Sequence, residues 1–366
     1  MKKERRNEYD LIRTVSTLAI VLFHYSFAFI QYGVGGKYIY FMQYANGAWG
    51  ALFVAVFFML SGSSLYYNWC DRLTSVKGKG GILDFYKKRW LAIFPMFYIA
   101  WFIFYMINAI DFGRLWNWGG SKANLLLTLL GMDGYFMYRG LNYYTVGEWF
   151  LGAIIMLYIM YPLLQLCMKK LPVTGTVLVI LLFGLNTARR MIPAFAAYNE
   201  RVVISDNINI ITCLMSFWTG MLLARLGRSI IKGMTVIPAV IIAVIVITVP
   251  LPVSMLILNQ LLAVCIYIIL SFISICIDGH RESRHFKVYD SLVIFFSRYS
   301  YAIFLLHHQI IQRGMSLFTG SEFTYTLSIL YFLLNLAGIS CAAVILTKVT
   351  DAITSAFQGL LSSHKE

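Results

Sequence analysis

Tyr9-Asp-Leu-Ile-Arg-Thr-Val-Ser-Thr-Leu-Ala-Ile-Val-Leu-Phe-His-Tyr25 begins an apolar run that continues to Phe29, and its reading decides the fold. About 20 residues at 1.5 Å each cross a bilayer, so the run is long enough to span. It nevertheless carries Asp10, Arg13 and His24. A charge in mid-span costs about 2.5–3.5 kcal/mol on insertion scales, so each ionisable residue there calls for a function. From Arg13 to His24 a helix makes three turns plus about 20°, so one face presents both side chains. The imidazole then lies about 16 Å deeper along the axis than the guanidinium. Snorkelling to the headgroups is the alternative for Arg13, and hydrogen-bonded packing the alternative for His24.

Of the 366 residues 60% are hydrophobic and 13% charged, with a mean hydropathy of +0.73, which is far too apolar for a soluble globular domain. The sequence reads as a polytopic membrane protein. The basic start runs into a long apolar helix without a small-residue cleavage site, so that helix counts as the first span. Cys70, Cys167, Cys213, Cys265, Cys276 and Cys341 show no C-x-x-C spacing and mostly lie in or beside apolar segments, which suggests neither a disulfide framework nor a zinc site. Ten candidate spans lie near 9–30, 49–68, 85–107, 146–167, 173–187, 208–225, 235–250, 254–277, 292–312 and 325–347. Short apolar runs in the fifth, seventh and eighth read as half-helices or as one tilted span broken at Pro250 and Pro252.

The net charge of +14 has its explanation in where the cations fall, with no nucleic-acid partner implied. With the N-terminus inside, 20 of the 30 lysines and arginines fall in cytoplasmic segments and 8 in the opposite loops, while Arg13 and Arg298 belong to spans. The positive-inside rule thus puts both termini in the cytoplasm. The expected architecture is an all-α, multi-pass bundle of about ten transmembrane helices, one membrane-embedded domain over 1–366 with no appended soluble domain.

Several residues could carry chemistry. The loop Lys77-Gly-Lys-Gly-Gly81 followed by Tyr86-Lys-Lys-Arg89 lacks the P-loop pattern; it reads as a phosphate cradle at a helix start or as a cytoplasmic anchor. In the ninth span Arg298 precedes His307 and His308, repeating loosely the arrangement of the first; His307 is weighted slightly toward the site, and either histidine could instead be a packing residue. Glu148 opens the fourth span, where an acid satisfies a helix dipole or orients or deprotonates an acceptor group. The outer segment 108–145 holds Trp116, Trp118, Tyr135, Tyr138, Tyr143 and Tyr144, an interfacial aromatic belt or a platform for sugar rings.

Four segments resemble the integral-membrane acyltransferase family 3, whose members acylate cell-surface glycans. They are Asp10-Leu-Ile-Arg13 with His24, Phe57-Phe-Met-Leu-Ser-Gly62, the basic stretch Phe85 to Pro95, and Ser300-Tyr-Ala-Ile-Phe-Leu-Leu-His307. Two positions depart from the family pattern: Ala92 stands where a second arginine is common, and Ile154 where a glutamate is expected, with Glu148 a possible stand-in. The resemblance implies transfer of an acetyl or other small acyl group from acyl-CoA to a hydroxyl of a cell-surface glycan or lipid-linked sugar at the cell membrane. Arg13, Lys88, Arg89 and Arg298 are the candidates for the CoA phosphates. His24 is the expected general base, with Asp10 orienting Arg13 and Glu148 assisting. Ser61, Tyr144, Trp149 and His307 are the candidates for acceptor contact, and no metal is expected. A lipid or glycan transporter whose Arg and His line a pathway is the alternative function.

Overall fold

In a computed structural model of the chain, residues 5–73, 75–116, 118–189, 192, 205–278 and 284–363 are described. The positive-inside count drew in part on Lys2, Lys3, Arg190, Arg201, Arg281 and Lys365, which lie outside the described residues.

Among the described residues the chain is all-α apart from two short ladders. In order the helices are α1 (Asn7–Gln31), α2 (Trp49–Trp69), α3 (Ile82–Asp111), α4 (Leu125–Leu129), α5 (Asp133–Phe136) and α6 (Glu148–Lys170). They continue with α7 (Pro172–Ala188), α8 (Ile210–Leu226), α9 (Gly233–Thr248), α10 (Met255–Asp278), α11 (Arg284–Ser316) and α12 (Tyr325–Ser363). Each expected span falls on a helix. By length and composition α1, α2, α3, α6, α10 and α12 can cross a membrane. Helices α7, α8 and α9 have 17, 17 and 16 residues, about 25 Å, shorter than a hydrocarbon core of roughly 30 Å. Pro250 and Pro252 do interrupt the chain, since α9 ends at Thr248 and α10 starts at Met255. Large apolar side chains are exposed along α3, α7, α9 and α12, among them Phe102, Leu181, Ile237 and Leu334, the surface expected of lipid-facing helices.

Contacts divide the chain into two compact units. The first comprises Met1–Phe23, Phe41–Phe85 and Ala153–Ser297; the second His24–Tyr40, Tyr86–Gly152 and Arg298–Glu366. Apart from the one between Tyr40 and Phe41, the boundaries fall within α1, α3, α6 and α11.

The first unit has a core of α1, α2, α9 and α10 side chains, including Ile12, Leu52, Val56, Met59 and Leu262. Helices α2 and α8 meet backbone to backbone because Gly62 and Gly220 have no side chains: a Cβ on Gly220 would lie 1.8 Å from the Met59 carbonyl oxygen. Ser63 donates a hydrogen bond to the Gly220 carbonyl at 2.8 Å across this seam. The strands Gln43–Tyr44 and Gly47–Ala48 form a small antiparallel ladder.

In the second unit Tyr25, Phe29, Phe323 and Tyr331 pack edge to face, and Tyr25 donates to the Ser328 carbonyl at 2.7 Å. Helices α3 and α11 run parallel, tied by Tyr301 to the Ile93 carbonyl (3.1 Å) and by Arg313 to Asp111 and Asn108 (both 2.6 Å). Gly35–Gly36 pairs in parallel with Glu322–Phe323.

Candidate active site

The second unit holds its polar centre where α6 begins. Gly147 and Glu148 both have left-handed backbones, φ 92° and 42°. Glycine adopts that conformation freely, while for glutamate it is strained by about 1–3 kcal/mol and persists only if its surroundings enforce it. The enforcing contact is Gly134, where a Cβ would sit 2.2 Å from the Glu148 carbonyl oxygen. Gly134 is fixed in turn by Asp133, whose carboxylate accepts the Gly134 N–H at 3.0 Å and the Thr128 hydroxyl at 3.1 Å. Asn142 joins the two loops, donating to the Asp133 carbonyl (2.8 Å) and accepting the Tyr144 N–H (3.0 Å). Burial pushes the Asp133 carboxyl up to about 7, and burial with the nearby Glu148 and Asp133 charges raises the Tyr144 phenol.

Three histidines converge on Glu148. His24 Nε2 of α1 lies 3.7 Å from Glu148 Oε2; His307 Nε2 and His308 Nδ1 of α11 lie 3.6 and 3.7 Å from Oε1. The His24 ring centre is 5.0 Å from that of His307 and 4.8 Å from that of His308. His307 is 1% exposed, His24 16% and Glu148 14%, so the charged centre is largely withdrawn from solvent.

Hydrogen bonding assigns two tautomers. His307 Nδ1 faces the carbonyls of Phe304 at 2.9 Å and Ile303 at 3.1 Å, so it must carry the proton. Its Nε2 therefore turns a lone pair toward Glu148 Oε1. Two acceptors that close repel each other unless a proton or the hydrogen of a bound hydroxyl lies between them. On His308, Gln312 Nε2 donates to Nε2 at 3.0 Å, which puts the hydrogen on Nδ1, facing the same carboxylate oxygen. The cluster is thus arranged to receive a hydroxyl group and to hold or move its proton. His24, Glu148 and His308 also offer ligand atoms within 4.8 Å of one another, close enough to gather around a cation.

The remaining sequence candidates are distributed as follows. Tyr144 lies in the segment leading into α6 and also lines a cavity beside the cluster. Trp149 is in the first turn of α6, its ring against Phe150, and does not line that cavity. Arg298 precedes His307 by about 13 Å of helix and is exposed, as is Lys88, while Arg89 is half-buried. Since α3 and α11 are parallel, these three cations lie toward the end of the unit opposite Asp111 and Arg313. In the first unit, Asp10 accepts a hydrogen bond from Ser297 Oγ at 2.5 Å, and Ser297 accepts one from Arg13 at 3.1 Å. Asp10 is also 3.7 Å from Arg13 directly and 2.8 Å from Arg5. Ser61 is half-buried on α2 in that unit, whereas the histidines belong to the second.

From the sequence, His308 reads as a site or packing residue and His307 alone is assigned a role. At about 100° per residue His308 falls about 80° from the face of Arg298 and His307 about 180°, so spacing from Arg298 does not single out His307; the carboxylate lies between the two adjacent side chains and meets both. A family model described as an acyltransferase domain matches residues 6–348. No curated protein and no solved structure matches the chain.

Proposed function

Because the chain belongs to the membrane acyltransferase family 3, we propose that it transfers an acetyl or other small acyl group from acyl-CoA to a hydroxyl of a cell-surface glycan, with His24 and Glu148 as the reacting pair. The observation that carries this assignment is the convergence of His24, His307 and His308 on one buried carboxylate. In the reaction the acceptor oxygen attacks the thioester carbonyl carbon, the C–S bond breaks, and the hydroxyl proton passes to the His24 imidazole. The imidazolium formed is 3.7 Å from the Glu148 carboxylate, which stabilises it until the proton is passed to the leaving thiolate as CoA thiol. His308, its Nδ1–H toward Oε1, steadies the carboxylate from its other side.

Lys88, Arg89 and Arg298 are the proposed partners of the donor's phosphates, at the far end of the unit from the acceptor. Arg13 joins them on the strength of the Asp10-Leu-Ile-Arg13 motif alone. Ser61 and Trp149 remain acceptor contacts on the same ground. The reading includes a cell-membrane location, about ten spans and both termini in the cytoplasm, supported by the distribution of cations. Transport is not favoured: the family match points to group transfer, and a pathway does not need a carboxylate pinned in a strained backbone.

The test is acyl-CoA-dependent thiol release by the purified protein in lipid, with glycan repeat units added. Acceptor-stimulated release should fall about 10²–10⁴-fold in His24→Ala, the usual worth of a general base, and roughly 10- to 100-fold in Glu148→Gln. Release undiminished in His24→Ala would remove that residue from the chemistry.

A further inference from the structure

A cavity of about 560 Å³ opens at the end of the second unit where α1, α3 and α11 finish and α6 begins. That volume lies within the roughly 300–1,000 Å³ of small-molecule sites. Its floor adjoins the histidines: Gln312 lines it and reaches His308 at 3.0 Å, and Tyr144 lines it four residues before Glu148.

The charges in its walls cancel. Asp111 and Arg313 are the ionised residues among those lining it, and Arg313 bonds Asp111 Oδ2 and Asn108 Oδ1, each at 2.6 Å. Each terminal nitrogen of the guanidinium thus already donates to one acceptor, and Asp111 balances its charge. Gln309 gives its amide nitrogen to the Thr145 carbonyl at 2.7 Å, and Gln312 gives its own to Gln31 and His308. Both glutamines leave their carbonyl oxygens for a ligand, and Gln309 also a second amide N–H. Together with the Asp111 carboxylate these oxygens accept from hydroxyl donors, and the carboxylate repels an anion. Phe112, Trp118 and Tyr144 add aromatic surface against which the C–H face of a sugar ring packs.

We propose that this cavity is the acceptor subsite and selects an uncharged glycosyl unit over a uronate or other acidic sugar, through hydroxyl donation to Gln309, Gln312 and Asp111. The proposal rests on the acyltransferase reading above. A free oligosaccharide and a lipid-linked sugar share this chemistry, and the probes separate them.

The experiment measures binding and acyl transfer with neutral nitrophenyl glycosides, the matching uronides, and alkyl-linked neutral glycosides, using the full chain in lipid nanodiscs. Wild type should bind and acylate neutral members in preference to uronides. Equal use of nitrophenyl and alkyl forms identifies a free-sugar site, and stronger use of the alkyl forms a lipid-linked one; either upholds the proposal. Asp111→Asn unpairs Arg313 and should shift preference toward uronides by roughly tenfold or more, the worth of one charge-assisted hydrogen bond. Asp111→Asn combined with Arg313→Gln restores neutrality and should restore the neutral preference, which a folding defect in the single variant would not do. Uronide preference in wild type, no binding of any glycoside, or a single variant with unchanged selectivity overturns the proposal. Acyl-CoA binding and slow thioester hydrolysis are read in the same samples. If these persist while sugar selectivity fails, the subsite is wrong; if they are absent throughout, the acyltransferase reading itself falls.

Discussion

Glu148 gains its place from backbone geometry. A residue of ordinary helical φ there would aim its side chain along α6; the left-handed turn at Gly147 and Glu148 sends it toward α1 and α11. The support beneath that turn contains Asp133, whose buried carboxyl titrates near 7 against about 3.9 in an unfolded chain. A raised folded-state value means that the folded protein favours the protonated acid. Its stabilising contribution is thus complete below pH ~4 and is lost as pH rises through about 7. Asp133→Asn keeps an acceptor for the Gly134 N–H, and the Thr128 hydroxyl can rotate to accept from the new amide. Thermal unfolding in lipid between pH 5 and 8 should therefore show a wild-type decline that the variant lacks, with the variant the more stable at pH 8. Parallel slopes would separate Asp133 from the pH response. A second consequence concerns His24, Glu148 and His308: proton transfer as proposed uses no metal, so chelation with EDTA should leave turnover unchanged. Activity lost to EDTA and restored by a divalent ion would make those residues ligands.

At the scale of elements, the seam between α2 and α8 is where the first unit has least tolerance. Apolar side chains gain little by meeting one another when lipid is the alternative, so membrane helices associate through close backbone approach and polar contacts. Gly62, Ser63 and Gly220 supply both. The atoms that an added methyl would strike are main-chain carbonyls of Phe217 and Met59, which no rotamer change can move. Gly220→Ala should therefore lower unfolding stability by about 1–3 kcal/mol, the range for overpacking. Gly184→Ala on α7 meets nothing within 4 Å and should be neutral or stabilise by up to about 1 kcal/mol. Comparable unfolding temperatures for the two variants would sink this account of the seam. The Phe57–Gly62 motif was legible as a pattern, but its physical content, a backbone crossing, emerges only with α8 in place.

At the scale of the molecule, what the sequence reveals follows from what is local. Helices were legible because apolar length is a property of consecutive residues, and His24 stood out as a polar residue in an apolar run. The cavity was not legible. Asn108 and Asp111 are about two hundred residues from Gln312 and Arg313, and only the fold pairs Asp111 with Arg313. Orientation is the remaining large-scale expectation, and it governs which substrate meets which end of the second unit. If the positive-inside reading holds, the end bearing Arg313 and the cavity faces outward and the end bearing Lys88 and Arg298 faces the cytoplasm, where acyl-CoA is made. Single-cysteine variants in a background with the six native cysteines replaced decide this, using an impermeant maleimide on intact cells. Lys122→Cys, in the loop beside the cavity, should label without permeabilisation, and Lys79→Cys, in the loop before α3, only after it. The reverse pattern would turn the protein over and put the cationic end outside, where no cytoplasmic thioester could reach it.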